Sequence, residues 1–293
     1  ARQYGKTTTL LALKKMLEKE YDVILMDFQT FGSADFATEN IFALSFANTF
    51  LRQFKKYVSG MEIPLKQAVE MLEKSVNGRA GYFTLKPLFE ELGDICEASE
   101  KPIVLMIDEV DSASNNQVFL DFLGQFRAQY INRFQQKTFQ SVILAGVYDI
   151  KNLRHKIRPD EEHKYNSPWN IAADFKVDMS FSENEIAGML EAYEKDHQTG
   201  MNIEKMAKAI YAYTSGYPFL VSRICQLMDE RVRDEYENLK LVWTENGFNE
   251  AVRILLAEKN PLFESLVGKI CDYPELSVML KTLLFTGRNI AYN

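Results

Sequence analysis

Two short stretches of this chain carry side chains of the right type and spacing for phosphate chemistry. The first is Gly5-Lys6-Thr7, within ARQYGKTTTL at the front of the sequence. It matches the second half of the pattern G-x-x-x-x-G-K-[ST], whose first glycine would fall one residue before Ala1. In that pattern the backbone N–H groups at a helix N-terminus wrap a phosphate, helped by the positive end of the helix dipole. Gly5 lets the backbone turn close to the phosphates, Lys6 reaches the β and γ oxygens, and the Thr7 hydroxyl ligates Mg²⁺. A plainer reading is that Thr7 and Thr8 cap a helix and Lys6 is a surface cation.

The second stretch is VLMIDEVD, residues 104–111. A phosphate site of this kind needs an acid at the C-terminal end of a neighbouring buried strand, to hold the Mg²⁺ shell. Asp108 stands where an apolar run ends, and Glu109 is suited to orient and deprotonate an attacking water. Either stretch alone is common. Together, in this order, they favour a nucleotide site.

These residues need elements to position them. Helical spacing of Leu10, Leu11, Leu13, Met16 and Leu17 predicts a helix over 7–19. YDVILMDFQ (21–29), KPIVLMIDEVD (101–111) and FQSVILAG (139–146) are near-continuous apolar runs suited to buried parallel strands, and NIAADFKVDMSF (170–181) contains a fourth. Helices are predicted between them over 34–58, 64–76, 84–98 and 116–134. Strands alternating with helices argue for an α/β core with a parallel sheet covered on both faces. After Phe181 the pattern is helical: 182–197, 203–214, 218–236, 245–259, 262–272 and 274–286, with TSGYP (214–218) as a turn. The third strand is expected beside the Asp108 strand. Gly146, Tyr148 and Asp149 occupy its C-terminal end, where a polar sensor of the γ-phosphate could sit, but none is assigned that role.

The whole chain sets bounds. Of its 293 residues, 46% are hydrophobic, so a sizeable core can form. The 34 basic against 41 acidic residues give a net charge of -7, which argues against wholesale binding to nucleic acid or anionic membrane. The basic run KNLRHKIRP (151–159) reads as a solvated loop, with Arg154 or Arg158 reaching a phosphate as the sharper alternative. Cys96, Cys225 and Cys271 are isolated, so they read as reduced thiols of a cytoplasmic protein. No signal peptide or membrane-spanning run is visible. His155, His163 and His197 are not spaced as metal ligands, and Trp169 and the many Phe residues read as core. The chain lacks an initiator Met and begins inside a motif, so a piece of a longer protein is expected.

RQYGKTTTL together with VLMIDEVD, ILAGVYDI, SPWNIAADF and TSGYPFLVSRIC resembles the bacterial AAA-like ATPases, near the STAND and archaeal-ATPase branch of the AAA+ P-loop NTPases. The resemblance implies a P-loop NTPase three-layer core over 1–181, a helical lid over 182–240, and a helical region over 241–293 read as the start of a winged helix. It implies ATP and Mg²⁺ as ligands, with Gln3, Tyr4, Gly5, Lys6, Thr7 and Thr8 in the nucleotide-binding loop. Lys6 and Glu109 carry the catalytic roles, and Thr7 and Asp108 hold Mg²⁺. Gly216 and Pro218 match a G-x-P segment that touches the nucleotide in relatives, and Arg223 is a stand-in for a missing sensor arginine. The function implied is an ATP-driven molecular switch. The alternatives are a non-catalytic DNA- or protein-binding scaffold, or the regulator of a fused effector or nuclease domain.

Overall fold

The computed structural model describes residues 4–57, 60–78, 81–113, 116–146, 172–173, 177–233 and 239–286. It is mostly helical, with a three-stranded parallel sheet, and is compatible with an α/β fold. The chain divides into two compact units. One is Lys6–Lys176; the other joins Val177–Asn293 with the short stretch that ends at Gly5.

In the first unit, α1 (Lys6–Leu17) leads into β1 (Asp22–Asp27). Then come α2 (Glu39–Tyr57), α3 (Ile63–Gly78) and α4 (Leu85–Ala98), β2 (Ile103–Asp108), α5 (Gln117–Asn132) and β3 (Ser141–Leu144). The sheet order is β1-β2-β3, so the third strand does lie beside the Asp108 strand. Register pairs Asp22 with Ile103 and Asp27 with Asp108, which brings two acids to the C-terminal edge side by side.

Both sheet faces are covered, as continuous apolar strands require. Val23, Val104 and Met106 pack with Leu10 of α1 on one face. Ile24, Met26, Ile103, Leu105 and Ile107 join the larger core on the other. That core is unusually aromatic. Phe42, Phe46, Phe50 and Phe54 repeat every four residues along α2 and are fully buried. Phe122 on α5 meets Phe42 and Phe46 with ring centroids 5.0 and 4.8 Å apart. Each such ring contributes about 1.5–3 kcal/mol by burial.

The predicted helix over 34–58 starts later than its pattern suggests. Residues 33–36 form a separate 3₁₀ turn, and α2 begins at Glu39. Asp35 explains the break: its carboxylate accepts from the Gly32 N–H at 2.8 Å and the Ser45 hydroxyl at 2.6 Å. A side chain bound locally in this way competes with helix continuation.

The second unit contains α6 (Glu183–His197), α7 (Ile203–Thr214), α8 (Pro218–Leu227), α9 (Leu239–Val242), α10 (Glu245–Ala257), α11 (Pro261–Asp272) and α12 (Pro274–Thr286). Ser182 opens α6 with a capping box, its side chain taking the Glu185 N–H while Glu185 takes the Ser182 N–H. Ile186, Ile210, Val221, Ile224, Trp243 and Leu255 centre the core of this unit. The helix predicted over 218–236 widens into a π turn at Met228–Val232. There Asp229 accepts from the Tyr193 hydroxyl at 2.5 Å. Of the fourth strand expected in 170–181, residues 172–173 and 177–181 show no strand, and the rest of that stretch lies outside the described residues.

Candidate functional site

Thr7 is the second residue of α1, and Asp108 is the last of β2. The Thr7 hydroxyl donates to Asp108 Oδ2 at 2.6 Å, so two residues 101 positions apart in sequence meet directly. Asp108 is 5% exposed. Its other oxygen accepts the Glu109 N–H at 2.9 Å.

Glu109 itself has φ +52°, a left-handed conformation that a glutamate seldom adopts. The surroundings impose it. On one side its N–H is held by Asp108. On the other, Val110 N–H donates to the Ala145 carbonyl at 3.1 Å, and Ser112 N–H donates to the Glu109 carbonyl at 3.1 Å to close a 3₁₀ turn. Strain held this way by neighbouring structure is a mark of functional positions.

Lys6 supplies the most telling detail. Its Nζ is buried and has no hydrogen-bond partner among the described residues. A desolvated ammonium costs free energy unless an anion meets it. The lysine opens α1, where the backbone N–H groups of a first helical turn also favour an anion. Lys6, Thr7 and Asp108 therefore fit a phosphate chain with a divalent cation. Thr8, next on α1, is exposed.

Gly5 has φ +77°, which the loop reaches because glycine carries no Cβ. Tyr4 and Gly5 belong to the second unit. The Tyr4 hydroxyl shares a hydrogen bond with the Ser180 hydroxyl and donates to Asp178 Oδ1 at 3.4 Å. Its ring meets the Tyr217 ring edge-on, with centroids 5.0 Å apart. The Ser180 N–H, and then its hydroxyl, hold the Asp178 carboxyl below the usual carboxylate range. Burial, and then Tyr4, push the Tyr217 hydroxyl up.

Tyr217 sits between the two motif residues Gly216 and Pro218. Pro218 starts α8, where its missing N–H costs nothing. Gly216 has φ +73°, and its carbonyl accepts the Phe181 N–H at 2.8 Å. A Cβ at Gly216 would lie 1.9 Å from the Phe181 carbonyl oxygen. The glycine is thus demanded by a close backbone approach, which also brings 178–181 beside Tyr217.

Arg223 has partners inside the second unit. It forks onto Glu258, Nε donating at 3.1 Å, and donates from Nη1 to Gln226 at 2.8 Å. Gln3, Tyr148, Asp149, Arg154, His155, Arg158, His163 and Trp169 lie outside the described residues. Among the described residues no group of three or more metal-ligating side chains gathers. Tyr217, Asp178 and Ser180 were not singled out from sequence. Tyr217 could have been, as the middle residue of G-Y-P; the other two carry no local signal.

Residues 1–247 match the family described as an AAA-like domain. The chain belongs to that family. An AAA-like domain is of nucleotide-binding, ATPase type, which agrees with a buried Lys6 Nζ that has no hydrogen-bond partner among the described residues, next in sequence to a Thr–Asp pair. No curated protein matches the chain. No helix of this AAA-like domain, among the described residues, is long and apolar enough to cross a membrane.

Proposed function

We propose that this AAA-like domain binds Mg-ATP through its P-loop core and hydrolyses it slowly, as a STAND-type molecular switch. The observation that carries the reading is the buried Lys6 ammonium without a hydrogen-bond partner among the described residues. It lies one residue from a hydroxyl that a buried carboxylate already orients.

Lys6 holds the β and γ oxygens, and the N–H groups at the start of α1 take the remaining negative charge. Thr7 and Asp108 hold the Mg²⁺ shell. The metal, when bound, neutralises charge developing on the phosphates. Glu109 accepts a proton from water as its oxygen attacks the γ-phosphorus, the bond to the bridging oxygen breaks, and ADP leaves. Gly216 and Pro218 contribute to nucleotide contact. Residues 182–240 act as the lid and 241–293 as the beginning of a winged helix.

A single-turnover assay tests the role of Glu109. Glu109→Gln keeps shape and removes the base, so the rate is expected to fall about 10²–10⁴-fold with ATP affinity kept. Equal rates overturn the assignment.

A scaffold reading has one observation in its favour. No residue of α12 is buried, and Val278, Leu284 and Phe285 are exposed. Such side chains suit a protein partner. Partner or DNA binding that persists in Lys6→Ala and ignores ATP favours this reading over the switch.

A further inference from the structure

Within the first unit, Ala145 makes two backbone bonds that straddle the acid pair. Its N–H donates to the Ile107 carbonyl at 2.9 Å, and its carbonyl accepts the Val110 N–H at 3.1 Å. Only Asp108 and Glu109 lie between those two anchor points. For Val110 to return to the residue that Ile107 already holds, the chain must turn back within two residues. The left-handed Glu109, at φ +52°, makes that turn. Gly146 follows Ala145. A Cβ there would lie 2.7 Å from Val110 Cγ2, and 3.1 and 3.2 Å from the two Asp111 carboxylate oxygens. Val110 is 1% exposed, and as a β-branched residue it is stiff at χ1. A methyl at position 146 is therefore admitted only by displacing Val110 and the turn it opens.

We infer that Gly146 is a positioning residue for Glu109: by leaving room for Val110 it keeps the Val110 N–H on the Ala145 carbonyl, and so sets where the Glu109 carboxylate stands. This rests on the proposed hydrolysis at Glu109 and adds a residue to it. Glycine offers no side chain to the reaction; its part is the space it leaves. The end of β3 and the proposed base thus move as one piece. Phosphate and metal affinity belong instead to Lys6, Thr7 and Asp108, so a shift confined to Glu109 lowers the rate and spares binding.

The test is a double-mutant cycle of Gly146→Ala and Val110→Ala, read by single-turnover hydrolysis and Mg-ATP affinity. Gly146→Ala is expected to hydrolyse about 10- to 100-fold more slowly, as a misplaced base allows, with affinity kept. In the Val110→Ala background the added methyl meets no Cγ2, so Gly146→Ala costs little further rate there. A purely structural role predicts the reverse, with two destabilising changes accumulating in the double variant. Hydrogen exchange at Val110 and Ser112, measured without nucleotide, follows the turn itself. It is expected to be about three- to tenfold faster in Gly146→Ala, as weakening one backbone hydrogen bond allows. Where wild type hydrolyses ATP, an unchanged rate in Gly146→Ala overturns the inference. So does an equal loss of rate in the Val110→Ala background, a comparison that still decides if the single variant fails to fold. Where wild type does not hydrolyse ATP, wild-type exchange at both positions overturns the inference. Faster exchange in that case fails the nucleotide reading and leaves the placing of the Glu109 backbone by Gly146 standing.

Discussion

The Lys6 ammonium and the Glu109 backbone are both held in states that cost free energy in the absence of a ligand. The ammonium is buried without a hydrogen-bond partner among the described residues. The glutamate stands at φ +52°. Sequence could name both residues, because G-K-T and an apolar run ending in Asp-Glu are local patterns. It could not show either cost, since burial of an Nζ atom is a property of the folded chain and the twist at Glu109 depends on the Val110 N–H reaching the distant Ala145 carbonyl. Glu109→Gly separates conformation from chemistry. Left-handed backbone costs a non-glycine residue about 1–2 kcal/mol, which glycine does not pay. The unfolding midpoint of the first unit is therefore expected to hold or rise, while hydrolysis drops as in Glu109→Gln. A loss of stability above ~1 kcal/mol contradicts the strain reading.

At the scale of elements, most of the fold was legible. β2 shows why: Ile103–Asp108 is buried throughout, so its apolar run has no gaps, and the first acids mark its end. The helices of the second unit fell near their predicted bounds, since apolar spacing and caps such as Ser182 are local signals. What was not legible depended on partners. The 3₁₀ turn at 33–36 depends on Asp35 meeting Ser45, and the π turn at 228–232 carries Asp229, which meets Tyr193. The turn at 214–218 was legible as a turn, but the reason for its glycine was not. Gly216→Ala places a methyl 1.9 Å from a backbone oxygen that cannot yield cheaply. It is expected to destabilise the second unit by about 2 kcal/mol or more, measured by hydrogen exchange in α7 and α8. Full stability with reduced ATP affinity would instead make Gly216 mainly a nucleotide contact.

For the whole molecule, the chain divides into two separately cored units, and Lys6, Thr7 and Asp108 all belong to the first. Binding at these residues is therefore expected to register in the stability of the chain. A ligand that binds only the folded state stabilises it by about 2.7 kcal/mol at a hundred times its Kd. The most direct test is an equilibrium titration with Mg-ATP of wild type against Lys6→Met, which keeps length and removes charge. Wild type is expected to bind and Lys6→Met to lose binding, while the ligand-free variant is at least as stable as wild type because a buried charge with no hydrogen-bond partner among the described residues is gone. Equal Mg-ATP affinity in the two proteins would contradict the nucleotide site.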